Sequence, residues 1–213
     1  ARNCDNAWSV GDSGDISTAG GTIAATVQKI SSNSAIIVED GQVIPSTTLN
    51  DIASTWESTI FPTVTSYFGI APDVDNNCQI EIVIFSIDGA GGIGGYFVPG
   101  LSSSTDSLFV DIDDLSWRNT IIAHEFQHLL HNARDPFEFI WIDEGAADMA
   151  AYLCFGVTNT LTGHANEWSQ NSNMSVRWWN QRIADYGAGF LFMMYLSDTV
   201  SYTHLTLPTT SFV

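Results

Sequence analysis

Residues 124–128 read His-Glu-Phe-Gln-His, inside the stretch with the clearest helical spacing in the chain. From Ser116 to Arg134, the apolar residues Trp117, Ile121, Ile122, Phe126, Leu129 and Leu130 recur at helical intervals. This predicts one helix with Ser116 as its cap. On a helix, positions i and i+4 differ by about 40° in azimuth and about 6 Å along the axis. His124 and His128 can therefore bring both imidazoles to one metal ion. Glu125, beside the first of them, is placed to reach a water on that ion.

A catalytic metal centre of this kind needs a third protein ligand and one open position. His131 shares the azimuth of His124 but lies about 10.5 Å further along the axis, too far to join the same ion. Position 134 is Arg and position 131 is His, which excludes the metzincin pattern. His164, expected in a polar loop, stays open as a ligand. The favoured third ligand is Glu144, in Trp141-Ile-Asp-Glu-Gly-Ala-Ala-Asp148. It opens a second expected helix, about 144–155, with Asp143 as N-cap. An antiparallel return of that helix brings Glu144 to the histidines. Asp148 lies one turn on, placed to hold the other nitrogen of a ligand histidine. Ala146, Ala147, Ala150 and Ala151 allow the two helices to pack closely.

The rest of the chain suggests an α+β order, strands before helices. The first 20 residues read as a loose lead-in. Residues 22–29 and 34–39 read as a hairpin around Ser31-Ser32-Asn33. Residues 47–68 have helical spacing with an interruption at Pro62. Gln79–Ile87 and Ser107–Ile112 read as strands, the latter a candidate edge that could pair with extended peptide. A third helix is expected over about 180–199. The glycine-rich run Gly89–Gly95 lacks the Gly-Lys-Ser/Thr ending of a phosphate loop. Asp73, Asp75 and Asn77 alternate like the opening of a calcium loop. Cys78 and Ile84 stand where an EF-hand needs Gly and Glu, leaving only a simpler Ca2+-binding turn.

The chain has 24 acidic residues against 6 basic ones, a net charge of −18. Binding of nucleic acid or an anionic membrane through a basic surface is thereby disfavoured. No apolar run approaches a membrane span. Hydrophobic residues make up 45% of the 213 positions, enough for a sizeable core. Of the three cysteines, Cys4 and Cys78 are the most plausible disulfide pair, and Cys154 reads as buried. Such an acidic surface stays soluble in salty surroundings, where self-repulsion is screened, and suits an extracellular or cell-surface protein.

HEFQHLLH followed by WIDEGAADMA resembles the gluzincin group of zinc metallopeptidases, and more closely the hyicolysin-like family of secreted bacterial peptidases. Trp8-Ser-Val-Gly11, Asp73-Val-Asp, Gly94-Gly-Tyr-Phe97 and Asp185-Tyr-Gly-Ala-Gly-Phe-Leu-Phe192 fall where that family has similar stretches. The gap of 15 residues between the second histidine and the glutamate is short against more distant gluzincins. The resemblance implies a zincin-like fold: a small mixed or antiparallel sheet, then the HExxH helix and a helical C-terminal part. It implies His124, His128 and Glu144 as ligands of one catalytic Zn2+, Glu125 as acid/base and Asp148 as the orienting carboxylate. It implies a zinc endopeptidase that hydrolyses protein or peptide substrate with a metal-activated water. Alternatives are a catalytically idle zincin-like binding module and a zinc hydrolase of a non-peptide bond. Tyr186, Tyr195 and His164 are the candidate transition-state donors. The peptidase domain is expected over residues 1–200. Residues 201–213, Thr-rich around Pro208 and resembling translated sequencing adapter, are expected to be a non-native tail.

Overall fold

The computed structural model describes residues 4–199. The expected tail and the C-terminal limit at residue 200 lie outside the described residues. The molecule is α+β. Its sheet has the order β1-β2-β3-β4-β6-β5: β1 Ser13–Thr18, β2 Gly21–Ile30, β3 Ser34–Glu39, β4 Ile80–Phe85, β5 Gly95–Tyr96 and β6 Ser107–Asp111. The pairs β3–β4 and β4–β6 are parallel, and the others are antiparallel. The apolar run Ile82–Phe85 suits a central strand covered on both faces.

One face of these strands presents Ile36, Val38, Ile82, Ile84, Leu108 and Val110 to the helices. The other presents Ala35, Ile37, Val83, Phe85 and Phe109 to a smaller cluster that includes Trp8, Ile16 and Tyr96. On the helical side lie α1 Ser46–Thr55, α2 Phe61–Phe68, α3 Arg118–Asn132 and α4 Ile140–Phe155, followed by α5 Asn159–Gln170 and α6 Ile183–Thr199. A π-helical stretch, Trp56–Ile60, joins α1 to α2 just before Pro62. The wider turn accommodates a ring that would clash with the carbonyl four residues back. It also turns Trp56 onto Phe126 of α3, with ring centroids 4.6 Å apart.

Several expectations are corrected. The lead-in carries β1, whose Gly- and Asp-rich sequence is ordered by backbone pairing with β2. The strand Ser107–Asp111 is not the sheet edge, because β5 pairs with it at Phe109 and Val110. Ser116 does not cap α3, which begins at Arg118 after Trp117. Asp143 does not cap α4, which begins three residues earlier at Ile140. His164 lies on α5, not in a loop, and Thr158 caps that helix by accepting the N–H of Leu161. The Cys4–Cys78 disulfide is formed. Cys154 is only partly buried against the core. No helix among the described residues is long and apolar enough to cross a membrane.

Candidate metal centre

Helix α3 sits against the sheet through Ile122, Phe126, Leu129 and Leu130, all buried. That packing fixes its rotation and turns His124 and His128 toward α4. The two imidazoles stand with centroids 4.8 Å apart and planes at 76°. Their Nε2 atoms converge on one carboxylate oxygen, Glu144 Oε2, at 3.1 and 3.5 Å. The Nδ1 atoms point outward, each to an aspartate. His124 Nδ1 is 3.0 Å from Asp148 Oδ1, and His128 Nδ1 is 2.8 Å from Asp143 Oδ2.

His124, His128 and Glu144 offer ligand atoms that lie within 4.8 Å of one another. Two imidazole nitrogens and one carboxylate oxygen, with both second nitrogens held by carboxylates, are a donor set that suits zinc. Burial would hold His124 neutral, but the bonds to Asp148 and Glu144 outweigh it and lift its pKa to about 10. His128 is lifted well above the ordinary histidine value against its own burial, by Asp143 and Glu144. Burial would raise Glu144, yet its bonds to the two histidines bring it down to about 2. Without a metal, protons occupy the nitrogens that a metal would take, so the two compete.

Glu125 is buried at 6% exposure beside the histidines. Burial pushes its pKa up, and the neighbouring imidazoles oppose that shift. Its Cγ lies under the edge strand, 3.5 Å from where a side chain at Gly95 would begin. A glycine there lets β5 approach the helix.

Asp148, 2% exposed, also holds a second partner: His164 Nδ1 approaches its Oδ2 at 2.6 Å. His164 is therefore tied to the carboxylate behind the site. Its ring lies 5.1 Å from that of Tyr186, and Trp179 closes the other side of Tyr186 at 4.8 Å. Burial and the charges of Glu144, Asp148 and Glu125 push the Tyr186 pKa up. Tyr195 is not at the site. It is nine residues further along α6, about 180° around the helix, and 63% exposed.

Asp143 is the residue that sequence reasoning cast in the wrong role. Besides His128 it meets His131, whose Nδ1 is 2.8 Å from Asp143 Oδ1. A signal is present in the sequence: two histidines that shared one metal would each need an acceptor behind them, and Asp148 can serve only one. At the expected calcium turn, Asn77 Oδ1 accepts the Gln79 N–H and its Nδ2 donates to Asp75, and the carboxylates of Asp73 and Asp75 come together with that of Asp106. In the glycine-rich run, the N–H groups of Gly91 and Ile93 donate to Asp114 and Asp88, so carboxylates fill the positions a phosphate would need.

No family model matches the chain. It is similar to the neutral metalloprotease ShpI of Staphylococcus hyicus, with 26% identity over 208 residues. The match covers 82% of this chain and 47% of that protein, so the chain spans about half the length of the curated relative it matches. What this chain is similar to is a metalloprotease.

Proposed function

We propose that this chain is a secreted zinc endopeptidase of the hyicolysin-like type, a single zincin-like domain over residues 1–200. The observation that carries the reading is the convergence of two Nε2 atoms and one carboxylate oxygen from α3 and α4, with the buried Glu125 beside them. His124, His128 and Glu144 would hold the zinc, and Asp148 and Asp143 would fix the two imidazoles. When bound, zinc supplies a Lewis acid that acidifies water and polarises a scissile carbonyl. Glu125 takes the proton of the attacking water and delivers it to the leaving amine nitrogen. Its burial keeps the carboxylate poised for both steps. The Tyr186 hydroxyl donates to the developing oxyanion, held between His164 and Trp179. His164 serves by anchoring Asp148 and packing on Tyr186. Extended peptide pairs with the outer edge of β5, which has no strand beyond it among the described residues. The disulfide and the excess of acidic residues support an extracellular setting.

A casein digest with and without a zinc chelator tests the activity. Glu125→Gln is expected to keep its zinc and lose most hydrolysis. A variant that still cleaves casein would sink the reading, as would wild-type cleavage that survives complete removal of metal. Failure of the zinc-loaded wild type to cut any peptide, with zinc bound, would favour a binding module or a hydrolase of another bond.

A further inference from the structure

Between α2 and β4 the chain makes a half-buried loop that bears Asp73 and Asp75. Asp106, just before β6, comes in beside them. One carboxylate oxygen of each lies within 4.8 Å of the other two. Asp106 is fully buried, with 0% exposure. Its Oδ2 accepts the N–H of Val74 at 2.8 Å, which turns the carboxylate toward the loop between the other two aspartates. Its Oδ1 is buried with no hydrogen-bond partner among the described residues. A buried carboxylate oxygen left in that condition is unfavourable unless something positive meets it.

The neighbours among the described residues supply no positive charge. Among the described residues, no Lys, Arg or His forms an ion pair with any of the three. Asp73 Oδ1 accepts the Cys78 N–H at 2.9 Å. Asp75 accepts the N–H and Nδ2 of Asn77 at 3.1 and 2.8 Å. Both are held in place and keep spare lone pairs. Glu81, close by, is already engaged by Trp8 Nε1 and Ser107 Oγ. An all-oxygen, carboxylate-rich set selects a hard cation. Three carboxylates from two irregular segments suit the larger and more tolerant calcium over magnesium.

We infer that Asp73, Asp75 and Asp106 form a calcium site, separate from the histidine centre, that fixes the Cys78 loop to the start of β6. The same loop anchors the N-terminal segment. Asn6 Nδ2 donates to the Asp75 carbonyl at 2.8 Å, and the Trp8 N–H donates to Gln79 Oε1 at 2.8 Å. Calcium there would order the loop and, through it, residues 4–8.

The test uses the purified chain freed of calcium, with zinc content measured in parallel so that events at the two sites are kept apart. Calorimetric titration with calcium chloride is expected to show one site with a Kd on the order of 0.1–1 mM, the range of extracellular calcium modules. Tm is expected to rise by about 5 °C at about 10 mM calcium. Asp106→Asn preserves an acceptor for Val74 and removes the charge. Asp75→Asn, at a less buried position, is the second variant. Each is expected to lose at least about 10-fold in calcium affinity, because a charged ligand is gone. The assignment is overturned by a wild type that neither binds calcium nor gains stability from it. A Tm rise that magnesium matches or exceeds also overturns it, as does a folded variant that binds calcium as the wild type does.

Discussion

Replacing Gly145 with alanine should damage the metal centre from behind. Gly145 follows Glu144 on α4, at the closest approach of α4 to α6. A Cβ added there would lie 2.7 Å from both the carbonyl carbon and the oxygen of Gly189. That is about 0.7 Å short of the 3.4 Å at which ordinary van der Waals contact begins. The obstacle is backbone, so no side chain can swing aside, and the helices must part. Overpacking of this kind costs about 1–3 kcal/mol. For a chain of this size, Tm should fall by roughly 2–4 °C for each of those kcal/mol. The displacement also moves Glu144 relative to the 3.1 Å contact it makes with His124, and zinc affinity should drop by about 10-fold. Gly163→Ala on α5 is the matched control, since nothing lies within 4 Å of its added Cβ. There the better helix former should stabilise by up to about 1 kcal/mol. Thermal unfolding followed by circular dichroism, with a competitive zinc titration, reads both effects. Equal Tm shifts of the same sign in the two variants would refute the reasoning, as would an unchanged zinc affinity in Gly145→Ala.

Three further outcomes are expected. Tyr186→Phe should lower kcat by about 100-fold with zinc content and KM retained, and a kcat within about twofold of wild type would remove Tyr186 from the reaction. Asp143→Asn should weaken zinc binding by about 10- to 100-fold, measured by competition with a chelating dye; unchanged affinity would mean that His128 needs no carboxylate behind it. The metal-free chain should lose stability as pH rises: His124 is held up to about 10 in the fold against about 6.5 unfolded, so its contribution is complete below about 6.5 and gone above about 10. Tm measured across that interval should fall more in the metal-free chain than in the zinc-loaded one, and parallel profiles would contradict the linkage.

The parts of the site carried by one helix were legible in the sequence. The i, i+4 spacing of His124 and His128 is a property of helix geometry alone, and the apolar spacing around it fixed the helix. Glu144 and Asp148 were legible for a similar reason, one turn apart on the next helix. Asp143 was misread because an acid before a helical run has a common local use as a cap, and only the tertiary pairing with His128 reveals another. Tyr186 and Tyr195 could not be told apart as donors by residue type. Their nine-residue spacing does separate them once α6 is rotated by its packing on α4 and α5. Helix α5 was missed because it buries only Leu161 fully and otherwise looks polar. Strand β1 was missed because its order comes from backbone pairing, which leaves no apolar alternation to read. Asp106 joins Asp73 and Asp75 only because β4 and β6 run side by side, a fact of topology without a local signature.

The third cysteine is shielded by the fold from thiol–disulfide chemistry. Cys154 sits partly buried on α4, and burial pushes its thiol up to about 12 despite a contact with Thr63. At neutral pH the thiolate that attacks disulfides is therefore scarce. Exchange with the Cys4–Cys78 bridge is thus suppressed by protonation. The odd thiol becomes reactive only when α4 opens. Labelling of Cys154 by a thiol reagent would then act as a clock for unfolding of the helix that bears Glu144, and zinc should slow it.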